Sequence, residues 1–233
     1  MGVFKYDEEN LMRSILEESN NFPITSAKIN LMNKKVDYKV LMLMTLLSNV
    51  QLHKEALETG NEERWRYLYR NKLKEYKDLV ESLSQTKLNT VLRTIKKMEK
   101  LDCKVIAVRK TEGNEIVYDI NYGTREYVTI ETKIMEALIH SFNSNSIKIY
   151  VLLKYMCRNG KKKITQEWLL KQIGLSSDSK NNRQMLSDIT TELHCGGYIN
   201  KETISVEGNK IINYYEVNSL DEWKSIRKLG NRK

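Results

Sequence analysis

The chain has a single proline, Pro23, in 233 residues, and only ten glycines. With so few breakers, most of it is free to form helices and short strands. Its three cysteines, Cys103, Cys157 and Cys195, are far apart. An odd, scattered set makes no disulfide framework and predicts a reducing, cytoplasmic setting. There is no C-x-x-C pair, which argues against a structural zinc. No apolar run approaches the roughly 18 residues of a membrane helix. The start, MGVFKYDEEN, lacks an apolar leader core, and Tyr6 stands where a myristoylation motif has Ser or Thr. No membrane partner is expected. There is no G-x-x-x-x-G-K phosphate loop, so no ATPase of that type. His53, His140 and His194 are isolated, with no H-E-x-x-H and no His pair for a nicking site.

What the chain does have is an excess of one charge. Lys and Arg total 39 against 30 for Asp and Glu, a net charge of +9. That favours a polyanionic partner, nucleic acid being the commonest. Apolar residues make up 40%, enough for packed cores, so disorder over the whole chain is excluded.

Patterning then orders the chain. Residues 1–22 form an acidic arm of −3, in which Leu11, Met12, Ile15 and Leu16 mark a short helix that Phe22-Pro23 ends. The dense apolar run Val36 to Val50 predicts one buried helix. Trp65, Leu68, Tyr69, Leu73, Tyr76, Leu79, Val80 and Leu83 step by three and four, predicting a long amphipathic helix. After Ser84-Gln85-Thr86 the helical period resumes through Leu88, Val91, Leu92, Ile95, Met98 and Leu101. It then changes to two: Val105 to Val108, a turn at Glu112-Gly113-Asn114, and Ile116 to Ile120 read as a hairpin.

The second half repeats the order. After a short strand at Tyr127 to Ile130 and a linking helix from Thr132 to Phe142, Asn145-Ser146 caps a helix through Met156. A basic turn, Gly160 to Lys163, leads to a helix capped by Thr165 and ending at Gly174-Leu175. A further helix carries Met185, Leu186, Ile189 and Leu193. A second hairpin runs from Tyr198 to Val217 around Glu207-Gly208-Asn209. Helix, helix, turn, helix, hairpin is the order of a winged helix-turn-helix. The expected fold is α+β: an arm (1–22), two tandem winged-helix domains (23–123 and 124–217) joined by a linking helix, and a basic tail or helix (218–233).

The candidate chemistry is groove contact. In the first helix-turn-helix, Gln85, Thr86, Lys87, Asn89, Thr90, Arg93, Lys96 and Lys97 lie off the apolar face. Gln85 to Lys110 holds eight basic and two acidic residues, +6 in a short stretch. Lysines and arginines on phosphates release counterions; Arg93 suits guanine, Asn89 adenine, Thr90 phosphate or a thymine methyl. The second copy is polar: Lys180, Asn181, Asn182, Arg183, Gln184 and Ser187, with Thr190 and Thr191. Its positive charge comes from Arg158 and from Lys161, Lys162 and Lys163 in the preceding turn. Arg109, Lys110 and Lys210 flank the wing tips. The competing reading of each set is a solvated face. The mixture of Trp65, Tyr67, Tyr69 and Tyr76 with Arg64, Arg66 and Arg70 suits single-strand stacking, but its spacing favours a core stripe. Asp119 with Glu131-Thr132-Lys133 has a nuclease-like spacing that arises easily by chance. We expect no enzyme, metal or cofactor.

Tyr76-Lys77-Asp78-Leu79-Val80-Glu81-Ser82-Leu83, Thr90 to Met98, the run Asn145-Ser146-Ile147-Lys148-Ile149-Tyr150-Val151-Leu152-Leu153, and Gly160 to Leu175 together resemble the tandem winged-helix replication initiators and replisome organisers of Firmicute plasmids and phages. The resemblance spans Val36 to Val217. It implies double-stranded DNA at origin repeats, a homodimer that represses its own gene, and host helicase and primase as partners. It implies that Lys87, Asn89, Thr90, Arg93 and Asn181 to Gln184 face the grooves. Other readings are a regulator on a promoter palindrome and a protein-interaction module.

Overall fold

The computed structural model describes residues 21–50, 65–123, 125–206 and 210–230. The chain is α+β, with many helices and small antiparallel sheets. It divides into two compact units, one built from residues up to Asn30 with Lys35–Ser144, the other from Leu31–Lys34 with Asn145 onward. The division expected near Gly123 thus falls inside the first unit. Among the described residues, no helix is long and apolar enough to cross a membrane. The expected helix in the acidic arm lies outside the described residues.

In the first unit, β1 (Asn21–Thr25) pairs antiparallel with β6 (Tyr127–Glu131), Asn21 opposite Glu131 and Thr25 opposite Tyr127. Pro23 therefore sits inside a strand, not at a helix break. A two-stranded ribbon tolerates its missing N–H because each strand has a free edge. This pairing is why residues 127–131 stay with the first unit. After α1 (Lys28–Met32), α2 (Tyr38–Leu46) runs through the core. Asp37 caps it, accepting from the Lys39 and Val40 N–H groups at 3.0 and 3.2 Å. Every α2 residue except Lys39 is buried, as expected of a helix apolar all round. The Tyr38 hydroxyl donates to the Thr25 carbonyl at 3.0 Å, tying α2 to β1. The helix stops sooner than the apolar run does, and Asn49–Val50 forms β2.

The largest correction falls on residues 65–83. They are not one helix but β3 (Trp65–Tyr69), α3 (Arg70–Glu75) and α4 (Lys77–Ser84). Within Trp-Arg-Tyr-Leu-Tyr the true period is two: Leu68 is buried and both flanking tyrosines are half-buried. Aromatic residues suit a pleated, half-buried surface, and pairing with the strand Ile116–Asn121 decides a segment too short to settle by its own periodicity. Then come α5 (Leu88–Glu99), β4 (Ile106–Lys110) and β5 (Ile116–Asn121), followed after β6 by α6 (Thr132–Ser141). The sheet order is β2-β3-β5-β4, with Leu68 opposite Tyr118 and Ile106 opposite Ile120.

The second unit is built on α7 (Ser144–Met156), whose residues from Ser146 to Leu153 are all buried. Lys148 is among them; its Nζ donates to the Asn33 carbonyl at 2.8 Å. Then follow β7 (Lys162–Lys163), α8 (Gln166–Gln172), α9 (Lys180–Cys195), β8 (Ile199–Val206), β9 (Lys210–Val217) and α10 (Leu220–Gly230), with sheet order β7-β9-β8. Residues 220–230 form a helix, one of the two forms expected of the basic C-terminal segment. Ser219 and Glu222 form a capping box: the Ser219 N–H and hydroxyl donate to the Glu222 carboxylate at 2.7 and 2.8 Å. Trp223 is buried, its ring centroid 5.8 Å from that of Tyr198.

The two units share an order that includes their sheets. Helix, strand, helix, helix and hairpin run as α2, β3, α4, α5, β4–β5 and as α7, β7, α8, α9, β8–β9, with β2 and the short α3 among the described elements added in the first. In each, the strand before the helix pair lies beside the second strand of the hairpin.

Candidate nucleic-acid interface

In the first unit a tight turn joins α4 to α5. Gln85 takes a left-handed conformation (φ 53°), and its Nε2 donates to the Ser82 carbonyl at 2.6 Å. The Thr86 hydroxyl donates to the Ser84 carbonyl at 3.1 Å. These two predicted contacts thus shape the turn. Glu81 accepts from the Leu88 N–H at 2.8 Å, satisfying an orphan donor at the start of α5.

α5 buries Leu88, Val91, Ile95 and Met98. At 3.6 residues per turn, the opposite face carries Asn89, Thr90, Arg93, Lys96 and Lys97, all exposed, with exposed Lys87 before it and Lys100 after it. None of these cations forms an ion pair with a described residue. Lys96 and Lys97 lie in the last turn, where the helix dipole itself favours a cation. Lys87 and Arg93 have no such internal reason.

On the β4–β5 hairpin, Arg109 Nε donates to Asp119 Oδ2 at 2.7 Å. The pair occupies both the predicted DNA contact and the carboxylate of the nuclease-like spacing. Asp119 is on β5, Glu131 ends β6 and Lys133 is on α6; among the described residues no cluster of three His, Cys, Asp or Glu could hold a metal. Lys110 is exposed at the end of β4. Tyr67 and Tyr69 meet edge-to-face on one side of β3, 5.7 Å between centroids. Arg66 turns to the other side, donating to Ser48 Oγ and O at 2.7 and 2.8 Å and lying over the Phe22 ring. The aromatic stretch is therefore not one helical stripe.

In the second unit Thr165 caps α8, accepting from the Trp168 N–H at 3.2 Å, and Ser179 caps α9, accepting from the Asn182 N–H at 3.3 Å. Asn182 is half-buried and its Nδ2 donates to the Ser176 carbonyl at 2.9 Å, so this predicted base reader holds the turn. α9 buries Leu186, Ile189, Thr190 and Leu193. Thr190 is inward: its hydroxyl donates to the Ser187 carbonyl and accepts from Lys201 Nζ at 2.9 Å. Burial lowers the Lys201 ammonium below the usual lysine value.

Directly opposite that stripe lie Asn181, Gln184, Asp188 and Thr191, all exposed. Gln184 Nε2 donates to Asp188 Oδ1 at 2.8 Å. Lys180 and Arg183 are exposed and Ser187 is half-buried. Asp188 did not figure among the sequence candidates, although its i+4 spacing from Gln184 was readable. Of the preceding basic turn, Lys161 pairs with Glu202 and lies over the Tyr214 ring. Lys162 and Lys163 are exposed on β7, opposite Tyr215 and Tyr214. Lys210 begins β9, and its side chain lies outside the described residues. Compared with known proteins, the chain matches no family model, no curated protein and no solved structure, so its chemistry rests on the residues themselves.

Proposed function

We propose that this protein binds double-stranded DNA sequence-specifically through two winged helices, and that it acts as a plasmid or phage replication initiator at origin repeats. One observation carries the reading: the same helix–strand–helix–helix–hairpin order occurs twice, and in the first copy the face of the helix opposite its buried stripe carries only cations and small polar groups. In this reading α5 enters the major groove. Arg93 meets guanine O6 and N7, Asn89 meets adenine, and Lys87, Lys96, Lys97 and Lys100 neutralise phosphates. α9 brings Asn181, Arg183 and Gln184 to base edges, and Lys110, Lys162 and Lys163 reach backbone. The chain works as a homodimer and hands the origin to helicase and primase, as the family resemblance implies.

Fluorescence anisotropy at several salt concentrations tests it, with duplex from beside the protein's own gene and a scrambled copy. Tight binding to the first alone, falling steeply with salt, supports specific recognition. Footprints at spaced direct repeats support the initiator. A single palindrome instead makes the protein a transcriptional regulator. Weak, salt-insensitive binding to both makes the two units protein-interaction modules.

A further inference from the structure

Resting on that DNA-binding reading, we infer that Asp188 is a positioning residue that sets Gln184 to read adenine from α9. An ionised carboxylate only accepts hydrogen bonds, so the Gln184 amide must turn its NH₂ toward Asp188 Oδ1, 2.8 Å away. The carboxylate takes one amide proton. The other remains, with Oε1, as a donor and acceptor pair. Adenine offers the complement in the major groove, an N6 donor beside an N7 acceptor. The rotamer cost of ordering Gln184 is thereby met in the free protein.

Position and charge support the assignment. Gln184 and Asp188 lie on the line of α9 farthest from its buried stripe, between Asn181 and Thr191. A carboxylate there repels phosphate, so this line suits base edges rather than backbone. The corresponding line of α5 carries Asn89, Arg93 and Lys97 and no acid. With Asn182 spent on the turn and Thr190 buried, Gln184 is the side chain of α9 that another residue holds outward.

The test is selection from a randomised duplex pool by the full chain, Gln184→Ala and Asp188→Ala, followed by anisotropy on the selected site and on random duplex. The full chain should enrich adenine at one position. Both variants should lose about tenfold of that preference and keep the others. Asp188→Ala should also bind random duplex as well or more tightly, because a negative charge is gone. Preference and non-specific affinity thus move in opposite directions. A purely structural role lowers both, and a mere charge effect raises both with the selected site unchanged; either result overturns the inference. So does a position sensitive to Gln184 that is not adenine. If the full chain enriches no site, the DNA-binding reading falls and this falls with it. If it enriches one that Asp188→Ala leaves intact, this inference alone falls.

Discussion

Replacing Lys96 and Lys97 by alanine tests the role of α5 through salt dependence. The helix has 12 residues, Leu88 to Glu99, about 18 Å at 1.5 Å per residue. Both lysines are exposed near its end and ion-paired to no described residue. If each neutralises one phosphate, each contributes about 0.9 to the slope of log affinity against log salt. The double variant should flatten that slope by about 1.8. Between 50 and 200 mM salt the parent should then lose about tenfold more affinity than the variant. The loss should be the same on specific and random duplexes, because phosphate contacts carry no sequence. Anisotropy titrations at five salt concentrations measure it. Removing the lysines also takes away dipole stabilisation of about 0.3–1 kcal/mol each, so a thermal melt must accompany the titration. Parallel lines for parent and variant, with folding intact, would refute the phosphate role and leave the lysines as solvated helix ends.

Other outcomes follow from local chemistry. Ser219→Ala should cost about 1 kcal/mol by uncapping α10, read by urea unfolding. The Glu222 carboxyl lies below its usual range because the Ser219 N–H and hydroxyl donate to it. The cap is therefore complete above the ordinary carboxylate value and fades as pH falls through the lowered one, a dependence that Glu222→Gln should abolish. Gly123 and Gly174 both have positive φ, +75° and +74°, but a Cβ at Gly123 meets open space whereas one at Gly174 would lie 2.2 Å from the Met32 carbonyl oxygen. Gly123→Ala should cost about 1–2 kcal/mol and Gly174→Ala clearly more, by the same unfolding measurement. Burial pushes the Cys157 thiol up to about 11, while Cys195 is exposed. A thiol reagent at pH 8 should label Cys195 in the folded protein and Cys157 only after unfolding; rapid labelling of both would contradict the buried position.

Period and turn chemistry made much of the fold legible. α5 and α9 each bury a stripe at helical spacing, and the first hairpin turns where Glu112-Gly113-Asn114 predicts, with Asn114 at φ 61°. Residues 65–69 were not legible. Trp65, Leu68 and Tyr69 satisfy a helical step as well as a strand step, and only pairing with β5 across some 50 residues separates the two. The first unit extends past Gly123 for a similar reason: β6 pairs with β1, a partner about 100 residues away that no local pattern announces.

For the candidate site, the sequence by itself determined which side chains face outward on α5, because a 3.6-residue period with Leu88, Val91, Ile95 and Met98 inside leaves Asn89, Arg93 and Lys97 outside. It also determined where the positive charge concentrates. Tertiary structure decided which of those groups are free to act. Arg109 is tied to Asp119, Lys161 to Glu202 and Asn182 to the turn at Ser176. The physical reason is that periodicity fixes the direction of a side chain from its own helix or strand. A hydrogen bond or ion pair depends on which atoms the folded chain brings within about 3 Å of it.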